Sequence, residues 1–396
     1  MGFINREKTA KMKVMYVAPR YHTNQIAIMK GWIERGDEVA FLSQYAGKSE
    51  DYTWVTPEII GYSKVFLMVN YFYTHFLKRN DPYRDDWRLK CGFPPMGKLK
   101  KKIKEYAPEL VIIRERSVYS MCTNLICRKQ QIPAILYNQS PLWDREKKMD
   151  WQHKLVWKLV PEYRITPVRY NYRYQEKDTG KLVEDIRTKW VPFVMELKLQ
   201  PEQKVYFQGN TVTILMIGKY QERKNHLMLL RVFEKLCSKY QIELVMAGEC
   251  STPFHERYYE RVEQYIREHY LESKVTLYKN QTRQQVFELY RNADVFVLPS
   301  TDEPAAISHL EAMAFSVPAI CSTGNGTADY IIEDQTGYIF EDKDEEDLFF
   351  KLEQLVKNRE KIVRFGRNAY EHVKKDFSFQ SYYKKVMEIY DEISKR

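Results

Sequence analysis

The segment 294–329 constrains the fold of this chain more than any other segment. Residues 294–299 form a short apolar run, rich in β-branched and aromatic side chains, that is typical of a buried strand in a parallel sheet. A polar loop follows, apolar residues recur at helical spacing over 307–314, and 317–321 is a second buried run. The segment therefore predicts a strand, loop, helix, strand unit of an open α/β sheet.

Two carboxylates stand out in this unit. Glu303 lies in the loop at the carboxyl end of the first strand, and Glu311 lies in the helix, with seven residues between them. Ligands of open α/β sheets bind at the carboxyl ends of strands, beside helix N-termini that favour phosphate. The unit suits a phosphorylated sugar nucleotide, with carboxylates taking hydroxyls while the main-chain amides of Ala305, Ala306 and Ile307 hold phosphate.

The run from Glu303 to Ala314, followed by Val317-Pro318, resembles the E-x7-E signature of family-four glycosyltransferases. The preceding strand, the Glu-Pro dipeptide and the Val-Pro strand start make the resemblance specific, whereas two glutamates on a solvated surface helix are the alternative. The resemblance implies retaining enzymes with a GT-B fold. That fold has two Rossmann-like domains, whose parallel sheets face a central cleft, and a C-terminal helix that crosses back to the N-terminal domain.

Length and charge agree with this reading without deciding it. The 396 residues suffice for two domains, each with its own core. The formal net charge of +10 favours nucleic acid, an anionic membrane or phosphorylated substrates as partners. Six scattered cysteines suit a reducing cytosol, no apolar run is long enough to span a membrane, and the first eleven residues show no apolar leader.

Repeated strand and helix patterns place the domain boundaries. We predict an N-terminal Rossmann-like domain over 12–195, on the acceptor side, and a polar linker over 196–210. A C-terminal Rossmann-like domain over 211–378 would bind the nucleotide sugar, and 379–396 would form the crossover helix.

The resemblance assigns donor-side residues in the C-terminal domain. Gly218-Lys219 follows its first strand, and Lys224 comes six residues after the glycine. The family usually has Gly-Arg and then a lysine here, a pair that neutralises the donor diphosphate; Lys219 keeps the charge but loses the bidentate fork. Arg223 could assist these lysines, but we interpret it as an exposed flanking charge. By the same resemblance, Gly248 lies close to the nucleotide, and Asn280 lies where the main chain contacts the base.

Acceptor-side candidates lie at strand ends of the N-terminal domain. The loop after the first strand has no glycine, unlike the family's usual Gly-Gly pair. Its His22, Thr23 and Asn24 could hydrogen-bond an acceptor or a phosphate, or the loop could be structural. Arg114-Glu115-Arg116 stands where many family members have a histidine. The arginines could bind an anionic acceptor such as a lipid pyrophosphate, with Glu115 orienting a hydroxyl, or could form a salt-bridged strand end. Asn138 follows the next strand at the same sheet edge.

Residues 57–79 form the most apolar segment of the chain and show helical spacing. We interpret them as a helix packed in the N-terminal domain. The alternative joins them to the lysines of 98–104 as an aromatic and basic face on anionic lipid.

The resemblance implies a retaining glycosyltransferase that uses a nucleotide-diphosphate sugar, with UDP-sugar favoured over GDP-sugar, and a glycan or lipid-linked glycan acceptor in surface polysaccharide or glycoconjugate synthesis. Lys219 and Lys224 would offset charge on the leaving diphosphate, Glu311 would hold the ribose, and Glu303 would bind the transferred sugar. We expect neither metal nor other cofactor, no nucleic acid partner, and a cytoplasmic protein that could contact the inner face of the membrane. The alternatives are a 2-epimerase-like sugar-nucleotide isomerase and a basic nucleic-acid or membrane-binding module with an inactive sugar site.

Overall fold

The computed structural model describes residues 11–47, 51–78, 86–146, 150–170 and 181–395. The first eleven residues, on which the expectation of no leader rests, lie outside this part of the chain except for Lys11. The described residues divide into two units. The first comprises 11–167, 181–194 and 382–395, and the second comprises 168–170 and 195–381.

The first unit is built on a parallel sheet of seven strands in the order β3-β2-β1-β4-β5-β7-β9. Its strands are β1 Lys13–Ala18, β2 Glu38–Ser43, β3 Glu58–Ile59, β4 Leu110–Arg114, β5 Ala134–Tyr137, β7 Tyr163–Thr166 and β9 Thr188–Trp190, while β6 Trp143–Arg145 and β8 Leu182–Glu184 pair antiparallel. Its helices are α1 Ile26–Glu34, α2 Lys64–Phe72, a π-helical turn Tyr73–Leu77, α3 Asp86–Cys91, α4 Met96–Tyr106, α5 Val118–Lys129 and α6 Trp151–Leu159. The central strands are apolar throughout because helices cover both faces of the sheet.

The second unit has a parallel sheet of six strands in the order β12-β11-β10-β13-β14-β15. The strands are β10 Val212–Ile217, β11 Ile242–Gly248, β12 Val275–Lys279, β13 Val295–Leu298, β14 Ala319–Ser322 and β15 Gly337–Phe340. The helices are α7 His226–Cys237, α8 Pro253–Glu268, α9 Arg283–Asn292, α10 Ser308–Ala314, α11 Glu345–Val356, α12 Arg359–Asp376 and α13 Phe379–Ser394, whose last part lies in the first unit. The predicted strand, loop, helix, strand unit is present as β13, α10 and β14.

The predicted crossover helix is confirmed, because α13 ends within the first unit. Its Tyr382 hydroxyl lies 2.9 Å from that of Tyr16 in β1. The Tyr383 ring packs edge-on against Trp32 of α1, with centroids 5.5 Å apart. These buried aromatic contacts tie the end of the chain to the first sheet.

The segment 196–210, predicted as a linker, lies in the second unit. The Lys198 amide donates to the Ala314 carbonyl, and the Tyr206 hydroxyl donates to the Ser316 carbonyl at 2.5 Å. The buried Lys204 ammonium donates to the carbonyls of Arg291 and Ala293, both at 2.6 Å. The segment is therefore packed against α9 and α10.

The prediction of one packed helix over 57–79 is wrong. After β3 the backbone turns at Gly61, which is left-handed (φ +80°), and α2 begins only after Ser63, whose side chain caps the helix through the Phe66 amide. Apart from the buried Phe66, the large apolar side chains of α2 face outward: Val65, Leu67, Met68, Val69, Tyr71 and Phe72, followed by Phe76 and Leu77 in the π-helical turn. Within the described ranges, no helix combines the length and apolarity needed to cross a bilayer.

Candidate active site

The candidate site lies where the strand order of the second sheet reverses, between β10 and β13. Loops that leave adjacent strands at such a point diverge to opposite faces and open a crevice that binds ligands. The loop after β10 carries Gly218, Lys219 and Lys224, and the loop after β13 carries Glu303. The structure thus brings two separate sequence motifs to one edge of one sheet.

Glu303 forms ion pairs with two cationic side chains. Its Oε2 accepts hydrogen bonds from Lys224 Nζ and from Arg223 Nη1, both at 2.5 Å. Glu303 and Lys224 are buried, whereas Arg223 is partly exposed. The interpretation of Arg223 as a flanking charge is therefore wrong, because its guanidinium closes onto the signature glutamate across 80 residues of sequence.

This cluster carries a net positive charge. Burial alone would raise the pKa of the Glu303 carboxyl, but the charges of Lys224 and Arg223 outweigh it and lower that pKa. Glu303 is therefore ionised, and one carboxylate faces two cations. The unbalanced positive charge makes this edge of the sheet a site for an anion.

Small residues and loop anchors bring Lys224 to this position. A Cβ on Gly218 would lie 3.3 Å from Lys224 Cδ, so the lysine stem passes closely over the glycine. Asn225 adopts the left-handed conformation (φ +56°), and its Nδ2 donates to the Pro299 carbonyl at 2.7 Å. The Thr301 amide donates to the Arg223 carbonyl at 2.8 Å, so the two loops hold each other.

Lys219 has a different partner from Lys224. Its Nζ lies 2.8 Å from Glu249 Oε2, and both side chains are about half exposed. Burial would raise the pKa of Glu249, but Lys219 and the Ser251 hydroxyl lower it. The two predicted donor-site lysines are therefore each paired with a separate carboxylate.

Gly248 and Asn280 lie together at the neighbouring strand ends. A Cβ on Gly248 would lie 2.0 Å from the Gly218 carbonyl oxygen, so only glycine fits there. Asn280 has positive φ, and its amide donates to the Gly248 carbonyl at 2.9 Å. Its side chain bonds the amide and carbonyl of Cys250. Gly218, Gly248 and Asn280 thus form a close-packed floor without bulky side chains.

A second loop positions Glu303. The Glu303 amide donates to the Gly324 carbonyl at 3.0 Å, and the Gly326 amide donates to the Glu303 carbonyl at 2.9 Å. Between the glycines, the buried Asn325 accepts at Oδ1 from the Ala306 amide and from the Thr327 hydroxyl. Sequence reasoning missed Asn325, although the Gly-Asn-Gly run after a strand was a signal for an unusual backbone.

The predicted phosphate-binding amides are not equivalent. The amide of Ala306 is occupied by Asn325 Oδ1 at 3.2 Å. The amides of Ala305 and Ile307 have no acceptor among the described residues. Two of the three predicted donors are therefore open to a ligand.

Glu311 lies outside the ionic cluster. It occupies the first turn of α10, where it accepts a hydrogen bond from the Tyr290 hydroxyl at 3.0 Å. Burial raises the pKa of Glu311, and the Tyr290 bond offsets this only in part. A desolvated carboxylate with one donor has remaining capacity to accept hydroxyls.

The acceptor-side candidates are divided in the first unit. His22, Arg114, Glu115 and Arg116 line one cavity of about 380 Å³. Asn24 accepts from Arg114 Nη1 at 3.3 Å and lines an adjoining small pocket.

Two expectations for this strand edge change with the structure. Asn138 does not line the cavity; it is buried and accepts from the Ser140 amide in a turn. The alternative of a salt-bridged strand end is wrong, because neither Arg114 nor Arg116 pairs with a carboxylate in the described ranges.

The acidic pair near the end of the second sheet serves the fold. Asp342 accepts from the Thr301 hydroxyl at 2.7 Å, and Asp344 caps α11 through the amides of Glu346 and Asp347. In the described residues, no group of histidine, cysteine and acidic side chains has the arrangement of a metal site.

Two Rossmann-like units, with the ionic cluster at the switch point of the second, define the GT-B class of glycosyltransferase folds. Residues 200–372 match the family model of the glycosyl transferases group 1. The resemblance inferred from the signature is thereby confirmed.

Curated relatives match parts of the chain. An uncharacterised glycosyltransferase of Methanocaldococcus jannaschii is 26% identical over 208 residues, which is 50% of this chain and 51% of the relative. The sulfoquinovosyl transferase SQD2 of Arabidopsis thaliana is 36% identical over 94 residues, 23% of this chain and 18% of the relative. The chain thus spans about half or less of the length of these relatives.

Solved structures match nearly the whole chain. A glycosyltransferase from Rickettsia africae has a TM-score of 0.72 at 16% identity, covering 98% of this chain and all of that one (100%). The Anabaena protein HepE in complex with UDP has a TM-score of 0.71 at 12% identity, covering 96% of this chain and 100% of that one. At these identities the match establishes the shared fold.

Proposed function

We propose that this protein is a retaining glycosyltransferase that moves a sugar from a nucleotide-diphosphate donor to a glycan or lipid-linked glycan, in surface polysaccharide or glycoconjugate synthesis. The observation that carries the proposal is the net-positive cluster of Glu303, Lys224 and Arg223 at the switch point of a group 1 family domain. A UDP-sugar is the favoured donor, since HepE, which shares the fold, binds UDP and glucose; a GDP-sugar is the second choice.

The cluster acts by exchanging partners. When a donor diphosphate arrives, Lys224 and Arg223 shift part of their hydrogen bonding from Glu303 to the phosphate oxygens. The charge that builds on the leaving diphosphate is then met by cations already fixed in place, and such preorganised charge is usually the largest single contribution to lowering a transition-state barrier. Lys219 adds a third cation by the same exchange with Glu249.

Carboxylates arrange the sugar and the ribose. Glu303, released in part from its cations, binds hydroxyls of the transferred sugar and favours positive charge at its anomeric carbon. Glu311 takes the ribose hydroxyls, and the open amides of Ala305 and Ile307 take phosphate oxygen. We assign no covalent nucleophile, and the cations and amides do the work that a divalent metal does in other transferases.

Contact with a membrane is part of the proposal. The exposed apolar side chains of α2 form a surface that water solvates poorly. Lysines of α4 lie beside β3, the strand that precedes α2, since Lys98 Nζ donates to the Ile59 carbonyl and Lys102 pairs with Glu58 at 3.0 Å. Aromatic and basic residues together suit the surface of anionic lipid, so we place the protein in the cytoplasm at the inner face of the membrane.

The test is transfer by the purified protein from a panel of nucleotide sugars, with and without acceptor extract. We expect one UDP-sugar to be consumed only when acceptor is present and without added metal. Conversion of the donor in the absence of acceptor would establish an isomerase instead. Strict dependence on a metal would assign the chemistry to another class.

A further inference from the structure

The first unit has its own cavity at the point where its strand order reverses between β1 and β4, the place where open α/β sheets bind ligands. The chain segments that follow these two strands enclose a cavity of about 380 Å³. Its lining comprises Pro19, Arg20, His22, Tyr45, Leu89, Lys90, Arg114, Glu115 and Arg116. The cavity lies entirely in one unit and is distinct from the cluster around Glu303.

The charges that line this cavity are unbalanced. Arg20, Lys90, Arg114 and Arg116 contribute four permanent cations, and Glu115 is the only carboxylate among the described residues that line the cavity. In the part of the chain that the structure describes, none of the four cations forms an ion pair with a carboxylate. Like charges around one cavity repel each other, so an arrangement of this kind is stabilised when an anion enters.

Two of the arginines are fixed before any ligand binds. Arg114 stacks on the Tyr137 ring at 4.1 Å and donates to Asn24 Oδ1 at 3.3 Å. Arg116 stacks on the Trp157 ring at 4.9 Å. A guanidinium held in one orientation loses little entropy on binding and can bond two oxygens of one phosphate.

The backbone between the arginines is strained. Glu115 adopts a left-handed conformation (φ +67°), which is costly for a residue with a Cβ. Its amide donates to the Tyr137 carbonyl at 2.9 Å, and its carbonyl accepts from the Ser120 hydroxyl. The surrounding bonds thus enforce a turn that lets Arg114 and Arg116 both line the cavity, and retained strain of this kind is concentrated at ligand sites.

One wall of the cavity connects it to the exposed apolar surface. Helix α3 contributes Leu89 and Lys90 to the lining. The Trp87 ring of the same helix stacks on Phe66 of α2 at 5.2 Å and on Tyr73 at 4.5 Å. A ligand with a charged head and an apolar tail could therefore reach both regions through α3.

We propose that this cavity binds the phosphate or diphosphate of the acceptor, and that the acceptor is a lipid-linked phosphate whose apolar chain lies along α2. The inference rests on the proposed transferase function and deepens it by naming the acceptor class. A planar fork of two arginines suits phosphate oxygens, and the exposed apolar helix argues for a lipid rather than a soluble phosphorylated sugar.

The experiment measures binding of farnesyl diphosphate, inorganic pyrophosphate and farnesol to the full chain by calorimetry, with saturating UDP present to fill the donor site. We expect farnesyl diphosphate to bind at least tenfold more tightly than pyrophosphate, and farnesol to bind far more weakly. The Arg116→Gln variant, at an exposed position, should weaken farnesyl diphosphate about tenfold. The matched control Lys129→Gln, which removes an exposed cation outside the cavity, should bind like the wild type.

Unchanged binding of farnesyl diphosphate in both Arg116→Gln and an Arg20→Gln variant would overturn the inference. Equal affinity for pyrophosphate and farnesyl diphosphate would also overturn it. Loss of binding in Lys224→Ala would place the ligand in the second unit and would overturn it as well. Transfer to a neutral acceptor alone would also refute it while leaving the transferase function intact. Binding of farnesyl diphosphate without any sugar transfer would support the proposed cavity and refute the transferase function.

Discussion

Lys224 Nζ lies 2.5 Å from Glu303 Oε2, and each side chain retains only 10% of its exposure. Taking two charges out of water is costly, and the attraction between them offsets that cost only while both remain. The third member, Arg223, bonds the same carboxylate oxygen. The cluster therefore stabilises the two loops in the free protein and supplies the cations for a diphosphate.

The two partners should respond differently to removal of charge. Glu303→Gln leaves Lys224 and Arg223 facing each other, so we expect a loss of about 3 kcal/mol in the free energy of unfolding. Lys224→Met leaves Glu303 paired with Arg223, so the loss should be about 1 kcal/mol. Urea unfolding of both variants measures which substitution loses more free energy of unfolding, and a larger loss for Lys224→Met would contradict the prediction.

The same pair of variants separates binding from chemistry. Glu303→Gln makes the site more positive, so UDP should bind at least as tightly as in the wild type while transfer falls by a factor of 100 or more, roughly. Lys224→Met removes a cation, so UDP should bind about tenfold more weakly. Calorimetry with UDP and an assay of donor consumption give the two readouts. Wild-type turnover by a folded Glu303→Gln protein would remove Glu303 from the site.

Arg223 gives a third prediction. Because its guanidinium shares Glu303 with Lys224, Arg223→Gln should weaken UDP binding about tenfold and leave stability within roughly 1 kcal/mol, since the side chain is partly exposed. The control is Arg257→Gln, an exposed arginine of α8. If both variants bind UDP equally, Arg223 is only a partner of Glu303 and not part of the donor site.

Asn325 should affect the rate of sugar transfer because it holds the loop that positions Glu303. Asn325→Ala leaves the amides of Ala306 and Thr327 without their buried acceptor, which should cost about 2 kcal/mol of stability. Because the loop of Lys224 is anchored elsewhere, UDP affinity should stay near the wild-type value while kcat falls. Loss of UDP affinity in step with kcat would show a general collapse of the site instead.

Periodic apolar patterns predicted the parts of the fold that local sequence determines. Buried strands such as β10, β13 and β14, together with α10 and the crossover helix, are such parts, because a strand covered on both faces must be apolar throughout. The same pattern failed at 57–79, since helical spacing shows that one face is apolar but not what covers that face.

Site geometry was predictable only where a motif carried it. Glu303 and Lys224 came from a family resemblance. Asn325 was missed, and Arg223 was interpreted as a flanking charge, because their roles depend on contacts with Ala306 and Glu303 that join distant parts of the chain. Nothing in the spacing of a loop shows which carboxylate its arginine will reach in the folded protein.

His226, two residues after Lys224, should make the free energy of unfolding depend on pH, and the sign follows from its burial. Its ring is fully buried and stacks on Tyr220 at 4.9 Å; burial first, and the charge of Lys224 second, lower its pKa from 6.5 to about 3. The unfolded chain binds a proton here below pH 6.5, whereas the folded protein does so only near pH 3. The stability that this neutral ring contributes is therefore complete above pH 6.5 and declines as the pH falls towards 3.

His226→Phe keeps an apolar ring and removes that titration. Lowering the pH from 6.5 to 5 should cost the wild type roughly 2 kcal/mol more than the variant, at about 1.4 kcal/mol per pH unit. Urea unfolding of both proteins across this range measures the difference, in which the buried carboxylates and the other histidines cancel. Parallel stability curves for the two proteins would show that the histidine ring takes up its proton in the folded state as readily as in the unfolded chain.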